Sequence, residues 1–148
     1  MLYICIMKNR NLDHVDDWKT PTDFYTKLDS EFHFDFDPCP LGHNTDKWDG
    51  LEVEWGTSNF INPPYSRRLK EAFVHKAIQE ARKGKLCVML LPVSTSTKLF
   101  HQYILPNKSE IRFVEGRIKF KGVNTKGEYV TDKAGMHDSM IVIFDGRI

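Results

Sequence analysis

Asn62-Pro63-Pro64-Tyr65 is the run in this chain whose residue types best suit a chemical step. A conjugated amino group is a poor nucleophile, because its lone pair is delocalised into the ring that bears it. The Asn62 side-chain oxygen and a neighbouring backbone carbonyl can both accept its hydrogens, which draws the nitrogen towards tetrahedral geometry and frees the lone pair. Pro63 and Pro64 have fixed φ and no N–H of their own, so their carbonyls stand rigidly in place. Tyr65 offers a flat face on which a base taken out of a helix can stack; extrusion costs a few kcal/mol, which stacking and edge hydrogen bonds must return. Aligning such an amino group with an activated donor would supply much of the acceleration of a two-substrate transfer. The same four residues also make a good turn, so a strand before them and a helix after them are what would mark a site.

The flanking sequence supplies both. A short strand, about Thr57 to Ile61, runs into Asn62. Ser66 follows as the N-cap of an amphipathic helix, with Leu69, Phe73, Ala77, Ile78 and Ala81 on one face and Gly84 at its end. Leu86 to Leu91 is a continuous apolar run ending at Pro92, the pattern of a strand buried on both faces. Strand, helix and buried strand make a βαβ unit, hence an α/β fold with ligands at the carboxyl ends of its strands.

Upstream, Thr20 reads as an N-cap and Pro21 as the first residue of a helix to about Leu28. Phe32, Phe34 and Phe36 alternate with polar residues, which predicts a strand with the phenylalanines on one face, stopped at Asp37-Pro38-Cys39-Pro40. Downstream, a helix is expected over Thr97–Leu105. Strands near Ile111–Val114 and Arg117–Phe120 are expected to pair as a hairpin. A glycine- and lysine-bearing loop, 121–136, then leads to a last strand, Met140–Phe144.

Composition bounds the rest. The 148 residues suffice for one domain with a real core, and 41% hydrophobic with 28% charged residues is ordinary for a soluble globular protein. No apolar run approaches the roughly 20 residues of a membrane span. The apolar start, Met1 to Met7, lacks a basic leader and a cleavage site. Three scattered cysteines argue for reduced thiols, and Cys39 with His43 lacks the second pair that a zinc site needs, so no metal is expected. Net charge is +1, yet residues 1–55 hold five Lys/Arg against twelve Asp/Glu, whereas residues 56–148 hold sixteen against eight. The second part suits a polyanion.

Asn62-Pro63-Pro64-Tyr65 matches the catalytic motif of amino-methyltransferases that use S-adenosyl-L-methionine (AdoMet), and the wider pattern resembles the small phage-encoded N6-adenine DNA methyltransferases. The matching pieces start with Trp18-Lys19-Thr20-Pro21, Phe34-Asp35-Phe36-Asp37-Pro38-Cys39, Asn44, Lys47 and Asp49-Gly50-Leu51. After the tetrapeptide come Leu90-Leu91-Pro92, Thr95-Ser96-Thr97 and Gly116-Arg117-Ile118-Lys119-Phe120, so the likeness spans about residues 18 to 145.

The resemblance implies a single domain over 1–148, with 1–17 as a lead-in. It implies a compact Rossmann-like methyltransferase fold: a mixed sheet with helices on both faces and a C-terminal β-hairpin. Asn62, Pro63, Pro64 and Tyr65 would be catalytic. Trp18, Thr20, Pro21, Asp37, Pro38, Asp49 and Asn62 would bind AdoMet, with Thr20 and Pro21 towards its methionine end and Asp49 towards its adenosine half. The substrate would be adenine in DNA, double-stranded, methylated at a specific site in the cytoplasm of a bacterium or phage-infected host. Arg67, Arg68, Arg117, Lys119 and Lys121 are the candidate phosphate contacts, with 121–136 as a DNA-contacting loop. One departure from the general methyltransferase pattern is the missing glycine-rich turn after the first strand, where Asp37-Pro38-Cys39-Pro40-Leu41-Gly42 stands instead. From chemistry alone, an RNA adenine, a protein glutamine amide or a DNA-binding relative without activity also remain open.

Overall fold

The computed structural model describes residues 19–40, 42–123, 129–134 and 137–147, the side chains of 121–136 excepted. Trp18 and the Lys121 side chain therefore lie outside the described residues. Helix α1 spans Thr22–Phe32, starting one residue later and running four residues further than the sequence suggests. Pro21 stands at its N-cap, and the Pro21 carbonyl accepts the Tyr25 amide at 3.0 Å. The helix ends where His33 turns left-handed (φ 52°), its amide donating to the Asp29 carbonyl at 2.8 Å. Asp29 Oδ1 takes the next amide, that of Phe34, at 2.9 Å.

This ending corrects the strand expected over Phe32–Phe36. Phe32 is helical, and Phe36 alone pairs, through an isolated parallel bridge to Asn59. Nor do the three rings share a face: Phe32 and Phe34 pack against one core cluster and Phe36 against the other. The left-handed turn at His33 ends the helix between Phe32 and Phe34, which stay on one cluster, while Phe36 turns to the other.

β1 (Ser58–Ile61), α2 (Arg67–Arg82) and β2 (Leu86–Pro92) form the expected unit, with β1 and β2 parallel from Ser58↔Leu86 to Ile61↔Met89. Gly84 (φ 94°) reverses the chain after α2, a conformation that side chains with a Cβ rarely adopt. A π-helix (Leu99–Ile104) then runs into a single turn, α3 (Leu105–Asn107). β3 (Glu110–Phe113), β4 (Lys119–Val123), β5 (Tyr129–Ala134) and β6 (Ser139–Asp145) complete the order. The main sheet runs β1-β2-β6-β3, with β6 antiparallel to both neighbours.

The hairpin expected between residues 111–114 and 117–120 does not form. β3 pairs with β6 (Ile111↔Val142), while β4 pairs with β5 in a separate two-stranded sheet. Burial decides between the two arrangements: Ile118 and Phe120 are buried on the face of the main sheet, which takes β4 away from the edge that β3 occupies. Much of the expected 121–136 loop is thus strand, and 124–128 and 135–136 lie outside the described residues.

Alternate residues of β2 serve opposite faces, as the pleat requires. Cys87, Met89 and Leu91 meet Phe73, Val74 and Ala77 of α2, together with Leu99, Phe100 and Ile104. Leu86, Val88 and Leu90 meet Leu28 of α1 and the buried pair Ile118 and Phe120. The result is a mixed α/β layer structure with helices on both faces of the sheet. Among the described residues no helix is long and apolar enough to cross a membrane.

Candidate active site

Two chain segments end side by side. The bridge Phe36↔Asn59 sets residues 34–36 parallel to β1, and Phe60 N–H donates to the Phe36 carbonyl at 3.1 Å. Three residues further along each segment, Cys39 faces Asn62: its thiol donates to the Asn62 backbone carbonyl at 3.4 Å. Asp37 Oδ1 accepts the Cys39 amide at 2.9 Å, closing a tight turn around the buried Pro38. That turn stands where the general methyltransferase pattern has a glycine-rich one.

Asn62 is held from a second side. Its Nδ2 donates to Thr20 Oγ1 at 3.1 Å, so Thr20 meets Asn62 with its side chain rather than capping α1. The amide's acceptor, Oδ1, is buried. Thr20 and Cys39 come from widely separated parts of the chain, the first holding the Asn62 side-chain amide and the second its backbone carbonyl. Pro63 and Pro64 are buried directly after it.

The Asp49 loop closes on the same place. Gly50 packs so tightly on the Pro38 carbonyl that a Cβ there would collide with it. Trp55 Nε1 donates to the Gly50 carbonyl at 2.6 Å, and buried Asp49 accepts the Leu51 amide on Oδ1 at 2.9 Å. Trp48 packs against Phe36, and His43 Nε2 bonds the Trp48 carbonyl at 2.6 Å. His43 and Cys39 thus turn to different partners. Among the described residues no group of three or more His, Cys, Asp or Glu could hold a metal ion.

Burial raises the Asp37 carboxyl to about 6, the Cys39 amide opposing it. Burial also pushes the Tyr65 hydroxyl upwards, so it stays neutral. The Tyr65 ring meets Phe120 of β4 edge to face, with centroids 5.9 Å apart at 87°. Phe120 as a partner for Tyr65, and Cys39 as a clamp on Asn62, were not legible beforehand. Each contact joins residues far apart in sequence, and the only available signal was that both belong to the quoted family pieces.

The expected DNA contacts do not form one cluster. Arg67 and Arg68 are exposed at the start of α2, where Arg67 Nε lies 3.2 Å from Glu71. Arg117, 3.6 Å from Asp138, and Lys119 belong to the β4 region, on the opposite face of the sheet. A cavity of about 400 Å³ lies beyond the carboxyl end of β2, lined in part by Arg67 and Lys70 and also by Lys98 and Ser94, which sequence reasoning missed.

A family model described as DNA N-6-adenine-methyltransferase (Dam) matches residues 8–147. The chain is also similar to a DNA N-6-adenine-methyltransferase of Haemophilus phage HP1 (strain HP1c1). The two are 33% identical over 150 residues, covering 94% of this chain and 84% of that protein. No solved structure matches significantly.

Proposed function

The chain belongs to the DNA N-6-adenine-methyltransferase family, an enzyme acting on adenine in DNA, and from that premise we propose how its residues divide the work. The mixed sheet is read as a compact Rossmann-like methyltransferase fold, forming one domain. Asn62 Oδ1 and the Pro63 carbonyl accept the hydrogens of the adenine N6, and Tyr65 stacks on the extruded base. The observation that carries this reading is the double restraint on Asn62, by Thr20 Oγ1 at 3.1 Å and Cys39 Sγ at 3.4 Å. An acceptor fixed before substrate arrives need not be ordered during the reaction.

The residues beside Asn62 fit AdoMet as donor. Two carboxylates, Asp37 and Asp49, stand with a buried amide oxygen where the carboxyl ends of parallel segments meet, the usual place for a ligand in such a sheet. AdoMet, when bound, supplies a methyl group on a sulfonium, ready for attack by a nitrogen. Asp37 is suited to accept from its ammonium or hydroxyl groups. Thr20 and Pro21 bound the same space, and the Gly50–Pro38 packing holds the Asp49 loop against it. Arg67, Arg68, Arg117 and Lys119 contact phosphates of a duplex, and the enzyme works in the cytoplasm of a bacterium or phage-infected host.

Labelled AdoMet, duplex DNA and Asn62→Ala test this reading. Wild type is expected to label adenine in the duplex, and Asn62→Ala to lose at least 100-fold in rate, roughly the loss seen on removing one transition-state hydrogen bond partner. A variant that labels at the wild-type rate removes Asn62 from the mechanism. Label in RNA or protein, with none in duplex DNA, overturns the substrate.

A further inference from the structure

The cavity beyond β2 has an apolar floor, including Leu91, Phe100 and Met140, and a rim bearing Arg67, Lys70, Lys98 and Ser94. Among the described residues its only acid is Glu71, already paired with Arg67 at 3.2 Å. Three cations therefore meet one carboxylate in one recess. The sequence places them against local electrostatics: the first turn of α2 carries no acidic residue, yet Arg67, Arg68 and Lys70 crowd a helix N-terminus that disfavours positive charge. Lys70 is half-buried, and burial lowers its pKa, Arg67 adding to the effect and Glu71 opposing it. A cation so placed gains from an anion in the recess.

The position of the recess names the anion. Arg67 is two residues from Tyr65, and the register Ile61↔Met89 sets the ends of β1 and β2 side by side. A neighbouring recess, lined by Arg68 and His75, shares the Arg67 and Glu71 wall and continues along α2. We propose that the cavity seats a phosphodiester of the strand bearing the target adenine, with Lys70 and Lys98 holding its non-bridging oxygens and Arg67 at the rim. This rests on the reading of Asn62 to Tyr65 as the base site. A strand tethered by its extruded base presents its own phosphates at high effective concentration, so a shallow seat of three cations is sufficient. Holding the backbone there offsets unstacking without reading sequence.

The test replaces both ligands with an uncharged chain of similar length, Lys70→Met with Lys98→Met, and uses Lys27→Met, exposed on α1 across the sheet, as the control. Duplex binding is measured over a range of salt, with AdoMet affinity and melting temperature recorded for each protein. The double variant is expected to bind duplex about tenfold more weakly, with a slope of log affinity against log salt shallower by about 1 to 2. AdoMet affinity and melting should be unchanged, and Lys27→Met should match wild type. Duplexes carrying one methylphosphonate at a time locate the contact: one position near the adenine should weaken wild type and leave the double variant unaffected.

An unchanged slope, or no such position, overturns the proposal. Competition by inorganic phosphate at constant ionic strength, without a methylphosphonate-sensitive position, assigns the cavity to free phosphate and also overturns it. Failure of the underlying reading looks different: Asn62→Ala then labels adenine at the wild-type rate.

Discussion

Burial holds the Asp37 carboxyl near 6, although the Cys39 amide donates to it at 2.9 Å and favours the anion. This folded value lies above the ordinary 3.8, so folding favours the neutral form. Asp37 therefore contributes stability that is complete below about pH 4 and is lost as pH rises through about 6. Donor binding should run the opposite way, because only the ionised carboxylate accepts from an ammonium or hydroxyl. Calorimetric titration of AdoMet should show affinity falling as pH drops from about 7 to about 5, and Asp37→Asn should flatten that dependence. Parallel profiles for the two proteins would remove Asp37 from the donor site. Asn62 was legible at this scale because its neighbours Pro63 and Pro64 restrict the backbone whatever the fold. Its two restraints were not, because Thr20 and Cys39 lie 42 and 23 residues away in sequence and meet it only in the fold.

Elements read from continuous apolar runs or helical spacing, β2 and α2 above all, stand where sequence placed them, since burial on both faces or along one stripe leaves little choice. The misread elements are those whose partner is set by the fold: β3 turned to β6, and β4 crossed the face of the sheet to β5. α2 also carries an anchor that its periodicity does not reveal. Glu80 is fully buried, accepts the Trp55 amide at 2.8 Å and meets Lys76, Lys83 and Lys85 within 3.4 Å. Burial works to raise its pKa, but the Trp55 N–H and the ammonium groups outweigh this and hold it at about 2. Its stabilising contribution is thus present above about pH 4.5 and lost as pH falls towards about 2. Glu80→Ala strands buried donors and should cost about 3–5 kcal/mol, lowering Tm on the order of 10 °C in thermal melts near neutral pH. A shift of only a degree or two would mean that the lysines act as surface pairs and that the Trp55 loop is held by packing.

Across the whole molecule, the charge polarity of the chain suits the proposed division between two ligands. Residues 1–55, with twelve Asp/Glu against five Lys/Arg, contribute Asp37, Asp49 and Thr20, next to the proposed seat of a donor that bears a sulfonium and an ammonium. Residues 56–148, with sixteen Lys/Arg against eight Asp/Glu, contribute the basic start of α2 and Arg117 and Lys119, which suit a polyanion. The two parts meet at the end of β1, where Asn62 would hold the amino nitrogen of one ligand in line with the methyl of the other. The two binding reactions should then respond differently to salt. Raising salt from about 50 to about 200 mM reduces the free energy gained by releasing counterions from the DNA and should weaken duplex binding by at least tenfold, in proportion to the phosphates contacted. AdoMet carries few charges and is to be held at short range by partly buried groups, so its affinity should change less than about threefold over the same interval. Fluorescence anisotropy for the duplex and calorimetry for AdoMet measure the two slopes independently. Equal slopes would mean that the acidic and basic parts of the sequence do not serve separate ligands.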